Sequence, residues 1–240
     1  KDKDELLAFS KKVAEILESL FATERIGGGI GILEMGEYQN ETDIDLLLRR
    51  LLIASERCIS LFGRDFEISF YNDELEATIN RERDIVEALN AIVMDINTTD
   101  ELFLQYQPII NLSTDSIIGF EALARLRTEK YGLVSPLEFI PIAEKTKLII
   151  PIGEMVLVKA LRFLNKLKER GYDDIRVSIN ISVVELLNPD FINRFFDLIR
   201  HMQVNPRNIG IEITESVFIT DSNSINHIIE KLKKAGLHIA

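Results

Sequence analysis

Four short apolar segments carry a polar file along one face: Leu102–Ile109, Ile117–Leu126, Arg176–Ser182 and Asn208–Glu215. Read as strands, their side chains alternate between faces with a period of two. One file is apolar, as in Leu102, Leu104 and Tyr106; Ile118, Phe120, Ala122 and Ala124; Val177, Ile179 and Ile181; or Ile209, Ile211 and Ile213. The opposite file holds Gln105 and Gln107, then Glu121 and Arg125, then Ser178, Asn180 and Ser182, then Glu212 and Thr214. Parallel strands covered by helices are ordinarily apolar on both faces. Charge on an inward face is costly unless it is paired or metal-bound. Glu121, Asn180 and Glu212 offer carboxylate and amide oxygens, a hard donor set suited to Mg²⁺ or Mn²⁺ rather than zinc. Arg125 shares the face of Glu121 and has the donor fork that clamps a phosphate. Such a combination suits phosphoester hydrolysis, because a metal lowers the pKa of bound water and offsets phosphoryl charge. Plainer uses stand beside these. Glu121 and Arg125 can form a structural ion pair, and Asn180 can satisfy backbone groups at a strand end. Repetition of the polar file over several strands favours a site.

The elements that would position these residues follow from periodicity. Residues 4–21 repeat apolar positions at helical spacing, and a glycine run, 27–31, leads to a strand expected to end near Met35. Thr42 or Asp43 can cap a helix from about Ile44 to Leu61, and Phe66–Tyr71 alternates like a strand. A charged helical stretch, Asp73–Ile96, is broken at Asn97-Thr98-Thr99. We therefore divide the chain into a partial α+β domain over 1–72, a linker helix over 73–98, and a domain over 99–240. The last begins with two strands joined by an Asn/Ser/Asp turn, which allows an antiparallel pair. Helices at about 136–146 and 151–170 come next, followed by strand 176–182, helix 189–202, strand 208–215 and helix 222–235. Leu237–Ala240 looks like the start of another strand. That alternation predicts an α/β fold with parallel strands and right-handed crossovers, the N-terminal part of a TIM-like (β/α) barrel. A whole barrel takes about 250 residues, and its functional groups sit at the C-terminal strand ends.

Composition narrows the function. The chain has 240 residues, 46% of them hydrophobic, so it can bury a substantial core. Its net charge is −11, from 39 acidic against 28 basic residues, which argues against a nucleic-acid polymer as partner. A small phosphorylated ligand held by a few residues and a metal remains compatible. Cys58 is the single cysteine, so no intrachain disulfide forms and a cytoplasmic setting is expected. The start at Lys1 is read as a piece of a larger protein, with any membrane association through segments outside this chain. The glycine run lacks the Gly-Lys-Ser/Thr ending of a phosphate loop and reads as a turn or a close backbone approach. His201, His227 and His238 show no ligand spacing.

Glu121-Ala122-Leu123-Ala124-Arg125 resembles the signature of EAL domains, bacterial phosphodiesterases that linearise cyclic di-GMP. The resemblance runs through Tyr106-Gln107-Pro108-Ile109, Phe139–Glu144, Ile179-Asn180-Ile181-Ser182, Asn188–Phe191 and Glu212–Ser216, spanning essentially all of 100–240. It implies a barrel of EAL type, with Glu121, Asn180 and Glu212 as ligands of Mg²⁺ or Mn²⁺. It also implies that Gln107, Leu123 and Arg125 line the dinucleotide site and that Glu215 steadies a neighbouring active-site loop. The residues alone read Glu215 as a structural or capping carboxylate. Leu126 stands where the family usually has Trp. The family's Asp-Asp-Phe-Gly segment and later Lys and Glu are expected beyond Ala240, so these residues by themselves are expected to lack turnover. Less strongly, Gly29-Ile30-Gly31-Ile32, Leu48-Arg49-Arg50 and Gly63-Arg64 resemble the C-terminal half of a degenerate GGDEF domain. The implied function is a metal-dependent cyclic di-GMP phosphodiesterase yielding linear pGpG. The alternative is an EAL-fold receptor or protein-interaction module without hydrolysis. Open sheet edges in a half-barrel predict a homodimer.

Overall fold

A computed structural model of the chain describes residues 3–21, 28–34, 43–57, 66–96, 98–213 and 222–240. The chain divides into two compact units, 1–83 and 84–240.

The first unit contains α1 (Lys3–Phe21), β1 (Gly28–Ile32), α2 (Ile44–Arg57), β2 (Phe66–Phe70) and the beginning of α3 (Asp73–Val93). Short polar side chains start its helices. The Asp43 carboxylate accepts from the N–H groups of Asp45 and Leu46 at 3.0 and 3.2 Å, and Asn72 accepts from Leu75 N–H at 2.7 Å. Gly28, Gly29 and Gly31 lie within a strand instead of preceding one: β1 pairs in parallel with β2 from Gly28 opposite Phe66 to Ile32 opposite Phe70. The reason is close approach. A Cβ on Gly31 would fall 2.4 Å from the Leu51 carbonyl oxygen of α2, so only glycine lets the backbones meet. Met35, where that strand was expected to end, lies outside the described residues, as do Thr42, Cys58 and the Gly63-Arg64 pair.

In the second unit the strands form a six-stranded sheet in the order β3-β4-β6-β7-β8, with β5 on β4. Its strands are β3 (Glu101–Asn111), β4 (Ser116–Thr128), β5 (Gly132–Val134), β6 (Arg176–Ile181), β7 (Ile209–Ile213) and β8 (His238–Ile239). β3 and β4 are antiparallel, whereas β4, β6, β7 and β8 run parallel. Between β5 and β6 lie α4 (Pro136–Lys145) and α5 (Ile149–Glu169); between β6 and β7 lie α6 (Val183–Leu186) and α7 (Phe191–His201); α8 (Ser222–Lys234) precedes β8. Gly171 and Gly236 follow α5 and α8 with φ of 83° and 93°, the left-handed C′ position that glycine fills without strain.

Several boundaries differ from the periodicity reading. The strand expected to reach Ser182 stops at Ile181, because Ser182 caps α6. The helix expected from residue 189 starts at Phe191. Asn208, expected in a strand, belongs to a 3-10 turn whose N-cap, Asn205, accepts from Arg207 N–H. Thr214 and Glu215 lie outside the described residues. Ile118 is 39% exposed rather than inward, since β6 pairs with β4 only from Gly119 onward.

The core lies on the helix-covered face of the sheet. Ala122, Leu126, Val177, Ile179, Ile209 and Ile211 pack there with Phe139, Leu161 and Phe195 from the helices. Full burial of each large aliphatic or aromatic side chain is worth about 1.5–3 kcal/mol. Tyr106 stacks on Phe163 with ring centroids 3.7 Å apart, and burial pushes its phenol up to about 12. Pro108, which has no N–H to donate, is accommodated because β3 is an edge strand. Among the described residues, no helix is long and apolar enough to cross a membrane.

Gly119 sits opposite Arg176 where β4 meets β6, and a Cβ there would lie 2.8 Å from the Arg176 carbonyl oxygen. Gly119→Ala is expected to destabilise the second unit by about 1–3 kcal/mol, read as a lower urea midpoint. An unchanged midpoint would contradict this packing.

Candidate functional site

Register and pleat together decide which side chains share a face. Gln107 is the Cα partner of Glu121, Glu121 of Ser178, and Ser178 of Gly210, which makes one row across β3, β4, β6 and β7. In the next row Gln105 is opposite Leu123, and Asn180 is opposite Glu212. Side chains two apart on a strand point the same way. Glu121, Asn180 and Glu212 therefore face together, away from the apolar file of Val177, Ile179, Ile209 and Ile211. Adjacent strands lie about 4.8 Å apart. Ser178 and Gly210 keep the row beside Asn180 and Glu212 low: a Cβ on Gly210 would fall 2.6 Å from Ser178 Oγ.

Direct contact joins two of these residues. The Asn180 side-chain amide donates from Nδ2 to Glu121 Oε1 at 2.8 Å. Glu121 and Glu212 are half-buried and Asn180 is exposed. Arg125 does not pair with Glu121; its Nε donates to Gln105 Oε1 at 2.8 Å and an Nη to the Ala124 carbonyl at 2.9 Å. Gln107 is exposed, and Leu123 is half-buried beside Arg125. Glu215 falls outside the described residues.

The donors fit a hard divalent cation in kind. All three candidates offer oxygen, and the described residues hold no cluster of three or more His, Cys, Asp or Glu placed to hold a metal. The set is thus two carboxylates plus an amide, with no thiolate or imidazole to favour zinc. Beside it lies a cavity of about 190 Å³ lined by Leu123, Arg125, Phe139, Glu144, Asn180 and Glu185, among others.

Glu144 and Glu185 received no role from the sequence, and both meet Ser182, which also lines the cavity. Ser182, two positions beyond Asn180, accepts from Val184 N–H, and its own N–H donates to Glu185 Oε2 at 2.9 Å. This is a reciprocal capping box, and its Ser-x-x-Glu spacing was the signal available in the sequence. The Ser182 hydroxyl donates in turn to Glu144 at the end of α4. Glu185 is only 7% exposed. Burial pushes its carboxyl up to about 8, opposed by the Ser182 N–H and reinforced by the Glu144 charge.

The EAL domain model matches residues 88–240. The cyclic di-GMP phosphodiesterase PA2567 of Pseudomonas aeruginosa is 30% identical over 214 residues, covering 88% of this chain and 35% of that protein. The structure of the PaMucR phosphodiesterase in complex with c-di-GMP matches at a TM-score of 0.59 and 29% identity, over 65% of this chain and 62% of that one. The EAL enzyme Bd1971 bound to cAMP and cyclic di-GMP matches at a TM-score of 0.60 and 29% identity, over 85% of this chain and 52% of that one. The chain spans about a third of the length of the first curated relatives it matches.

The raised Glu185 value has a defined consequence for stability. Its folded value of about 8 exceeds the ordinary 4.5, so the folded protein holds this proton more tightly than the unfolded chain. The contribution is complete below about pH 4.5 and is lost as pH rises through about 8. Glu185→Gln is expected to abolish this dependence, so that wild type loses on the order of a few kcal/mol more than the variant between about pH 5 and pH 8. Urea unfolding of both proteins at the two pH values reads the difference, and parallel losses would contradict it.

Proposed function

The chain belongs to the EAL-domain family, and on that premise we propose that the protein carrying it is a metal-dependent phosphodiesterase that hydrolyses cyclic di-GMP to linear pGpG. The observation that carries this reading is the convergence of Glu121, Asn180 and Glu212 on one sheet face, with Asn180 bonded to Glu121 at 2.8 Å. Those residues would hold Mg²⁺ or Mn²⁺. Such an ion, when bound, lowers the pKa of a coordinated water and offsets charge on phosphoryl oxygens. Arg125, anchored on Gln105, is set beside this face to take a phosphate oxygen with its remaining donors. Leu123 and the exposed amide of Gln107 flank Glu121 and would contact the dinucleotide. Glu215 would steady a neighbouring active-site loop. In the reaction water adds to one phosphorus, the bond to the 3′ oxygen breaks, and that oxygen leaves with a proton.

The wider assignments rest on the same premise. β4, β6, β7 and β8 with their helices are read as the N-terminal part of a (β/α) barrel. The first unit, with β1 and β2 parallel and α2 between them, is read as the C-terminal half of a GGDEF-like domain. β3 and β8 stand at the edges of the described sheet, which supports pairing with a second copy. A single cysteine is in keeping with the cytoplasm.

The test incubates the intact protein carrying these residues with cyclic di-GMP and Mn²⁺ or Mg²⁺, beside Glu121→Ala. The reading expects pGpG formation that Glu121→Ala lowers by at least about 100-fold. Tight binding without turnover in wild type would replace the enzyme by a receptor. Neither binding nor turnover would remove cyclic di-GMP from the account.

A further inference from the structure

At the C-terminal end of β6, two helices converge on one serine. Glu144 lies in the last turn of α4, Glu185 belongs to α6, and both carboxyl groups bond Ser182, one through its hydroxyl and the other through its N–H. α5 contributes a notch: a Cβ on Gly153 would lie 1.7 Å from Glu185 Oε1 and 2.6 Å from its Cδ. The carboxyl group of Glu185 thus occupies the space that any side chain at residue 153 would fill. Helix capping alone does not require this. A Ser/Glu box at an exposed helix start works in water, whereas here a costly polar group is buried at 7% exposure against a helix backbone. Asn180 lies one residue before Ile181, the last of β6, so whatever fixes Ser182 also fixes the backbone that aims the Asn180 amide.

We propose that Glu185 and Glu144, meeting at Ser182, are positioning residues that hold the end of β6 so that Asn180 faces Glu121. Gly153 is the seat that Glu185 needs. The consequence for turnover rests on the phosphodiesterase reading above, whereas the placement of Asn180 does not. Neither carboxylate touches the reacting atoms in this scheme. Each acts by keeping one oxygen-bearing amide in register with its neighbour.

The test compares Gly153→Ala, Glu185→Ala and Glu185→Gln. The first readout is the side-chain amide resonance of Asn180 in the ¹⁵N-labelled chain, assigned by its loss in Asn180→Ser. The second is the kcat and KM of the intact protein for cyclic di-GMP with Mn²⁺. Gly153→Ala and Glu185→Ala are expected to move the Asn180 resonance towards its position in Glu121→Ala. They should lower kcat by about 10–100-fold, with KM changed by less than about threefold. Glu185→Gln keeps the acceptor for Ser182 N–H and should stay within about twofold of wild type in both constants. An unmoved resonance and unchanged kcat in Gly153→Ala would overturn the proposal. So would a Glu185→Gln variant as impaired as Glu185→Ala. If Glu185→Ala fails to fold, the other two variants decide. Absence of turnover in wild type would defeat the phosphodiesterase reading alone, and the resonance would still decide the placement of Asn180.

Discussion

Everything at the candidate site depends on the parallel register of β4, β6 and β7. Pairing Glu121 with Ser178, and Asn180 with Glu212, is what turns residues far apart in sequence into neighbours on one face. A slip of one residue would turn Glu121 into the apolar core on the helix-covered face, and would bring Ala122 out. Burying an unpaired carboxylate there is prohibitive. The apolar file that fills the core and the polar file that builds the site therefore enforce each other. Small residues complete the arrangement: Gly119 lets β4 approach β6, and Ser178 with Gly210 leaves the space beside the oxygen donors open.

Around this sheet the chain spends polar groups on orientation more than on ion pairing. Ion pairs such as Arg127 with Glu101 and Arg194 with Glu154 are solvent-exposed and contribute little individually. The buried polar contacts are concentrated instead at Ser182, where α4 and α6 both reach the strand end. Arg125 is held by a neutral amide, Gln105, rather than by a carboxylate. An acidic chain of net charge −11 thus presents two carboxylates, an amide and a guanidinium on neighbouring positions of one face.

Much of this was legible in the residues because period-two alternation is a local property. The polar and apolar files of β4, β6 and β7 can be separated by inspection, and Asp43, Gly171 and Gly236 announce helix ends through their own chemistry. What was less legible is non-local or depends on a single backbone approach. The glycines before Ile32 were open to a turn, since nothing in their neighbours reveals that α2 lies 2.4 Å from a Cβ at Gly31. The Ser182–Glu185 box was visible as spacing, but the burial of Glu185 depends on Gly153, which is distant in sequence. β5 is three residues long, too short for any pattern to register, and exists because it pairs with the end of β4.

The central claim is that oxygen donors from three strands converge on one cation. Anomalous diffraction from crystals of the protein soaked in Mn²⁺ addresses it without reference to turnover. The account expects a manganese peak bounded by the side chains of Glu121, Asn180 and Glu212. Well-ordered density with those three side chains apart, and manganese absent or bound elsewhere, would contradict it.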